Sequence, residues 1–292
     1  MRPPDGMRIF APAPGVFAYY DGRLEGYRFA EAANWVDAGA LSVGIASFAL
    51  VAGATAIVYD THVSLDHAHM VRAHLDGLGV TDFVVVLSHQ HLDHVAGTEV
   101  FAGSRVIANE VTAAHLERQR AAIEAGTHIG PPAIASLVLP TETFSGRMAL
   151  DLGGERVELI HLNIHSDDAT VLWLPDRRLL LAGDTLEDTV TYVVEPASFD
   201  AHLADLDKLA ALNPDRILPN HGDPDVIASG GYGPGLIGAT ARYVRLLMSG
   251  KAPPTLAAAM PLFDPDGACR YAGCYEAVHA ENLQRVARLG KG

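Results

Sequence analysis

His89, His91, Asp93 and His94 crowd into the run Ser88-His-Gln-His-Leu-Asp-His94, directly after the apolar stretch Asp82-Phe-Val-Val-Val-Leu87. A valine-rich run of this length followed by a polar break reads as a buried strand that delivers a loop. In extended chain, residues two apart project to the same side, so the imidazoles at 89 and 91 converge on one point and can share a metal ion. A helix beginning after the break would put Asp93 and His94 in its first turn, where they address a second ion beside the first. The pattern is half of a two-metal site.

The other half requires further apolar strands that end in imidazole or carboxylate. Val157-Glu-Leu-Ile-His-Leu162 runs into Asn163-Ile-His165, Leu179-Leu-Leu-Ala182 into Gly183-Asp184-Thr185, and Arg216-Ile-Leu218 into Pro219-Asn-His221. His-x-His-x-Asp-His, followed in order by a loop His, a Gly-Asp and a loop His, resembles the metallo-β-lactamase superfamily over roughly residues 40 to 225. The resemblance implies an α/β fold, a four-layer αββα sandwich. It implies that His89, His91 and His165 hold one metal, that Asp93, His94 and His221 hold the other, and that Asp184 bridges them. Two divalent ions follow, zinc first, with iron or manganese as alternatives. The implied reaction is hydrolysis by a hydroxide shared between the ions, with Asp93 and Asp184 as the catalytic carboxylates.

Behind the ligands, Asp60 closes the strand Thr55-Ala-Ile-Val-Tyr59 and resembles the superfamily's non-ligating aspartate. A metal-bound imidazole usually gives its other N–H to a carboxylate or carbonyl, and Asp60 suits that task; a turn-forming Asp-Thr is the plainer alternative. His161 lies inside its strand rather than after it, so His165 is the ligand of choice and His161 a packed or supporting residue. His62, His67, His69 and His74 fall in a helical apolar pattern from Thr61 to Leu78 and read as scaffold, as do His115, His128, His202 and His279.

The resemblance narrows the substrate less sharply. True lactamases of this kind generally carry Cys or Ser where Asp184 stands, and many hold the substrate carboxylate with a nearby Lys. This chain has only Lys208, Lys251 and Lys291. Gly183-Asp184-Thr185 looks more like the glyoxalase II and lactonase branches. The Phe and basic Cys-Gly-Arg of glyoxalases after that Asp are missing, and Glu187 stands where acyl-homoserine lactonases place a Tyr. Asp167, Asp168, Glu187 and Asp188 flank the ligands, and an acidic rim of this kind favours a neutral substrate. The same acids could instead cap helices and turns. A lactone or neutral ester therefore ranks first, a thioester of glyoxalase II type second and a β-lactam third. A di-iron redox protein or a non-catalytic metal binder is remote.

Composition supports an enzyme acting on a small molecule. The 292 residues carry a net charge of −14, which argues against nucleic acid as a partner. No apolar run reaches the roughly 18 residues needed to span a bilayer, and the longest, Leu41 to Tyr59, reads as two strands joined by a turn. The amino terminus lacks a secretion signal, so a cytoplasmic location is expected, with Cys269 and Cys274 as free thiols. A homodimer is compatible with the sequence.

Residues 1–225 are expected to form the catalytic domain and 226–292 a helical extension packed on it that helps form the mouth. Within the first, 7–60 reads as strands and 61–78 as a helix. Residues 103–150 read as a strand, a charged helix from Asn109 to Gly126 and a Gly-Pro-Pro loop able to cover a substrate. Further helices are expected over Phe199–Leu212, ended by Pro214, and Leu236–Met248.

Overall fold

The computed structural model describes residues 3–289. β1 (Arg8–Ala13) and β2 (Val16–Asp21) form a hairpin, and a long connection leads to a second hairpin, β3 (Ile45–Ala52) and β4 (Thr55–Tyr59). Gly15 turns the first hairpin at φ +68°, where a Cβ would lie 2.8 Å from the Val51 carbonyl oxygen. From β4 onward strands alternate with helices: α1 (Leu65–Gly77), β5 (Asp82–Val86), the single turn α2 (Leu92–Val95), β6 (Arg105–Asn109), α3 (Glu110–Glu124) and β7 (Glu142–Phe144). The strands form one sheet ordered β1 to β7, antiparallel as far as β4 and parallel thereafter. Parallel neighbours need crossovers, which α1 and α3 supply on one face.

The second sheet contains β8 (Arg147–Leu152), β9 (Glu155–Ile164), β10 (Ser166–Leu174) and β11 (Leu179–Gly183), then after α4 (Phe199–Leu212) the strand β12 (Arg216–Pro219). Its order is β12-β11-β10-β9-β8, antiparallel except for the β11–β12 pair that α4 connects. The chain ends in α5 (Pro224–Ala228), α6 (Gly235–Met248), α7 (Leu256–Phe263) and α8 (Tyr275–Leu289).

Side-chain alternation explains why the apolar strands show no polar face. In β11, Leu179 and Leu181 join the core between the sheets, with Phe48, Val86 and Leu159, while Leu180 and Ala182 join the outer core with α4 and α6. In β5, Val84 and Val86 point between the sheets and Phe83 and Val85 toward α1. Strands covered on both faces read as continuous hydrophobic runs. The layers are helices, sheet, sheet, helices, an α/β αββα sandwich.

Within the strand-rich stretch 7–60, residues Val36–Leu41 form a helical turn that was not expected, packed through Val36, Ala40 and Leu41 against Val63. The Gly-Pro-Pro loop docks on this connection, the Pro131 and Pro132 carbonyls accepting the main-chain and indole N–H of Trp35. The carboxy-terminal helices share the outer core of the second sheet, Tyr243, Phe263 and Tyr275 being buried with Ile160 and Trp173. Cys269 and Cys274 are free thiols. No helix among the described residues is long and apolar enough to cross a membrane.

Candidate metal centre

All seven residues singled out as ligands come together at one edge of the sandwich, on the loops that leave β5, β9, β11 and β12. Extended chain after β5 carries His89, and His91 is the N-cap of α2, so Asp93 and His94 fall in its turn. His165 occupies the one-residue break between β9 and β10 with φ +70°, a tighter device than the loop expected there. Such a left-handed backbone is uncommon away from glycine, and the neighbouring strands impose it. Asp184 follows Gly183 at the end of β11, and His221 follows β12.

The contacting atoms divide into two groups. His89, His91, His165 and Asp184 offer one cluster, and Asp93, His94 and His221 offer another, the atoms within each lying within 4.8 Å of one another. Asp184 Oδ2 joins the groups: it lies 3.1 Å from His94 Nε2, 3.3 Å from His221 Nε2, 3.6 Å from His89 Nε2 and 3.8 Å from His165 Nε2. Asp93 Oδ2 stands 3.4 Å from His221 Nε2 and 3.6 Å from His94 Nε2. Ligand atoms about 2.0–2.2 Å from a shared tetrahedral ion stand roughly 3.3–3.6 Å apart, so these separations match coordination shells. His91 and Asp93 are the partly exposed members, which places the mouth beside them.

Most of the imidazoles are held from behind. His94 Nδ1 donates to Asp60 Oδ2 at 2.8 Å, His221 Nδ1 to the Gly44 carbonyl at 2.7 Å and His165 Nδ1 to the Tyr192 carbonyl at 2.9 Å. Ser88 Oγ bonds His89 Nδ1 at 2.9 Å. The carboxylate and carbonyl partners fix the tautomers of His94, His221 and His165, and all four bonds aim the other ring nitrogen into the centre. Asp60 does more than hold one ring, since its carboxylate also accepts the Ser88 N–H at 2.7 Å and Asn220 Nδ2 at 2.6 Å. One buried carboxylate thus ties together the loops after β5 and β12 and the turn α2.

Burial pushes His89 well below the ordinary imidazole value, and the neighbouring His94 and His91 add to that. Burial, with His165 beside it, lowers His91 to about 3. Burial alone would lower His94 and His221 too, yet the facing carboxylates, Asp184 foremost, hold both well above it. Burial would raise Asp184, but His221 and His94 hold it well below the carboxylate range. The edge is thus a compact array of neutral and cationic rings around anionic oxygens, suited to exchanging its protons for metal cations. His89 Nε2 and Asp184 Oδ1 are buried without a hydrogen-bond partner among the described residues. Orphaned acceptors at the centre of a His/Asp cluster fit a divalent ion, which would coordinate both.

The sequence model described as "Metallo-beta-lactamase superfamily" matches residues 42–221, a span holding the whole cluster. The chain belongs to the metallo-β-lactamase superfamily. Among curated proteins it is similar to the linear primary-alkylsulfatase of Pseudomonas sp. (strain ATCC 19151), 23% identical over 208 residues, which is 58% of this chain and 39% of that protein. The chain therefore spans about two fifths of that relative's length. Among solved structures it resembles TMB-1 (18% identity, TM-score 0.56, 80% of this chain and 97% of the other). It also resembles a metallo-β-lactamase from Pontibacter korlensis (16%, 0.56, 79% and 98%). At these identities the likeness extends to the fold.

Around the centre, the residues expected to support the cluster or rim its mouth are placed as follows. His161 bonds the Asp167 carbonyl at 2.8 Å and has no contact with the seven clustered residues among its described bonds. The flanking acids do not form a rim. Asp168 is buried and accepts from Ser166 Oγ, Gln90 N and Thr112 Oγ1. Glu187 is buried under Tyr275 OH and the Tyr192 N–H, and Asp188 under Tyr232 OH and the Arg270 N–H. Asp167 alone is substantially exposed, and it pairs with His115 Nε2 at 2.8 Å. Three of the four acids are internal hydrogen-bond acceptors, because burial without donors would be prohibitive. The scaffold histidines behave as such: His67 Nε2 bonds Asp21 at 2.8 Å and His62 stacks on its ring. Sequence reading missed Asn220, Ser88 and the carbonyls of Gly44 and Tyr192; Asn220, adjacent to His221, and Ser88, adjacent to His89, carried a residue-type signal.

Proposed function

We propose that the protein is a dinuclear metal-dependent hydrolase acting on an ester-like carbonyl, with a lactone or other neutral ester as its small-molecule substrate. His89, His91 and His165 would hold one ion, Asp93, His94 and His221 the other, and Asp184 both. The observation that carries this reading is Asp184 Oδ2 standing within 3.1 to 3.8 Å of four imidazole nitrogens. Two adjacent divalent ions held there, zinc by the chemistry of an imidazole and carboxylate set, would supply hydroxide at neutral pH and an electrophile for the substrate oxygen. Asp93, the more exposed of the two central carboxylates, is placed at the mouth to orient the attacking water and pass a proton through Oδ2. Asp60, Gly44 and Tyr192 keep the imidazoles aimed inward, and the buried walls exclude bulk water.

A neutral substrate is favoured by how the chain's cations are engaged rather than by an acidic rim. Lys208 pairs with Asp205, Arg120 with Glu124, Arg147 with Glu158, and Arg118 with His115. None of these is set aside for a substrate carboxylate. Sulfate-ester hydrolysis is the second reading, favoured by the relative named an alkylsulfatase.

Steady-state kinetics of zinc-loaded protein on a lactone, an aryl ester, a thioester, an alkyl sulfate and a penicillin distinguish these readings. The lactone or ester is expected to lead in kcat/KM by at least about tenfold, or roughly 1.4 kcal/mol of transition-state stabilisation. Equal or faster turnover of the alkyl sulfate or the penicillin overturns the substrate class. Full activity after exhaustive chelation overturns the metal dependence.

A further inference from the structure

Residues 185–194, which follow Asp184, are buried almost throughout yet form no helix or strand. Buried backbone without a ladder of its own must find partners elsewhere. Much of what it finds is in α8. Asn282 Oδ1 accepts the Val193 N–H at 2.9 Å, and Asn282 Nδ2 donates to the Thr191 carbonyl at 3.1 Å. Arg285 Nη1 donates to the Val194 carbonyl at 3.1 Å, and Tyr275 OH to Glu187 Oε2 at 3.1 Å. Between the two peptides gripped by Asn282 lies Tyr192, whose N–H is taken by Glu187 Oε1 at 2.8 Å and whose carbonyl holds His165 Nδ1.

Asn282 is itself fully buried, and Nδ2 also reaches Tyr243 OH at 3.2 Å. A fully buried amide on a helix is costly unless every polar atom is used, and here they are used on the segment that aims a candidate ligand. We infer that α8 sets the His89–His91–His165 half of the centre, with Asn282 as a positioning residue acting through the Tyr192 carbonyl. This rests on the metal-binding reading above. Without Asn282, Thr191 O and Val193 N lose their partners and the Tyr192 carbonyl drifts from His165 Nδ1. The imidazole then loses the bond that fixes its tautomer and strengthens it as a ligand. The rings of the Asp93–His94–His221 half are held by Asp60 and Gly44, and this half meets the segment at the Asp188 N–H on the His221 main-chain carbonyl, away from the Asn282 contacts.

Stepwise Co2+ titration of the metal-free full-length protein, followed by visible absorption and by metal stoichiometry at equilibrium, tests this in Asn282→Ala, Asn282→Asp and Tyr275→Phe. One of two ions is expected to bind about 10- to 100-fold more weakly in Asn282→Ala, the other remaining as in wild type, with the absorption of the weakened ion altered. Asn282→Asp keeps the acceptor for Val193 N and loses the donors, so an intermediate loss is expected. Should Asn282→Ala fail to fold, Tyr275→Phe carries the test, since it removes only the hydroxyl that steadies Glu187; a smaller loss confined to the same ion is expected. Unchanged affinities and spectra in Asn282→Asp and Tyr275→Phe overturn the inference alone, as does equal weakening of both ions. Wild-type protein that binds no Co2+ overturns the metal-binding reading and the inference with it.

Discussion

One imidazole in each half of the centre, His94 and His165, is anchored by a different means. His94 leans on Asp60, a buried carboxylate that also takes Ser88 N and Asn220 Nδ2 and so locks three chain segments at one point. His165 leans on a main-chain carbonyl at 2.9 Å, with the Glu187 carboxylate farther off at 3.5 Å, both in an irregular stretch held in place by a helix far along the sequence. A charged anchor strengthens its ligand directly, whereas a carbonyl is only as well placed as the chain around it. His94 should therefore respond most to loss of charge, and His165 to loss of packing and hydrogen bonds at a distance.

Asp184, which belongs to both halves, is where the difference between them should vanish. Its loss is expected to remove the second metal equivalent and to lower kcat by about a thousandfold or more, on the scale of losing a principal electrostatic stabiliser. Asp184→Ala and the peripheral control His115→Ala, compared by metal analysis and kinetics, check this. Two equivalents and wild-type turnover in Asp184→Ala would rule out the shared carboxylate. Chelation of the wild type should lower turnover at least as far as Asp184→Ala does, and restoring zinc should recover full activity only in the wild type.

Within the second half, His165 and His161 separate a ligand from a neighbour. His161 bonds a peptide carbonyl on the partly exposed face of β9, while His165 Nε2 lies 3.1 Å from His91 Nδ1 inside the cluster. His165→Ala is expected to weaken one ion by at least about a hundredfold and abolish most activity, and His161→Ala to retain both ions. The reverse pattern would reassign the ligand.

These residues were legible because their signals are local. An imidazole two places from another, at the end of a valine run, states its direction through the strand period alone. His165 was legible as a candidate ligand though not as a single-residue break, because its φ of +70° has no counterpart in residue type. The anchors were mostly illegible. A carbonyl such as that of Gly44 or Tyr192 belongs to the backbone, and Asn282 lies far from the motif it serves. Asp168, Glu187 and Asp188 show the converse: closeness in sequence to ligands suggested a charged rim, but facing direction is settled by packing, and all three turned inward.

In the first half, Asp60→Asn removes charge while keeping shape. It is expected to weaken only the Asp93–His94–His221 ion, by about tenfold, because His94 loses the carboxylate that raises its basicity. Competition with a chelator of known affinity reads this directly. A loss confined to the other ion would invert the assignment of anchors.

An effect on stability rather than on metal affinity sits where the halves meet. Asp188 N donates to the His221 carbonyl, while its carboxylate takes Tyr232 OH and the Arg270 N–H of the carboxy-terminal segment. Burial raises this carboxyl to about 6, despite the opposing pull of the Tyr232 and Arg270 hydrogen bonds and of Arg23. Its folded value exceeds the unfolded one, so folding favours the protonated form. The stabilisation is complete below the unfolded value near pH 4 and is lost as pH rises through about 6. Asp188→Asn removes this titration while keeping an acceptor for Arg270 N. Chelator-treated wild type should lose on the order of 2 kcal/mol of unfolding free energy relative to Asp188→Asn between about pH 4 and 7. Urea unfolding across that range measures the difference, in which the histidines common to both proteins cancel. Parallel pH profiles would mean that Asp188 stays ionised in the fold, with Arg23 rather than burial governing it.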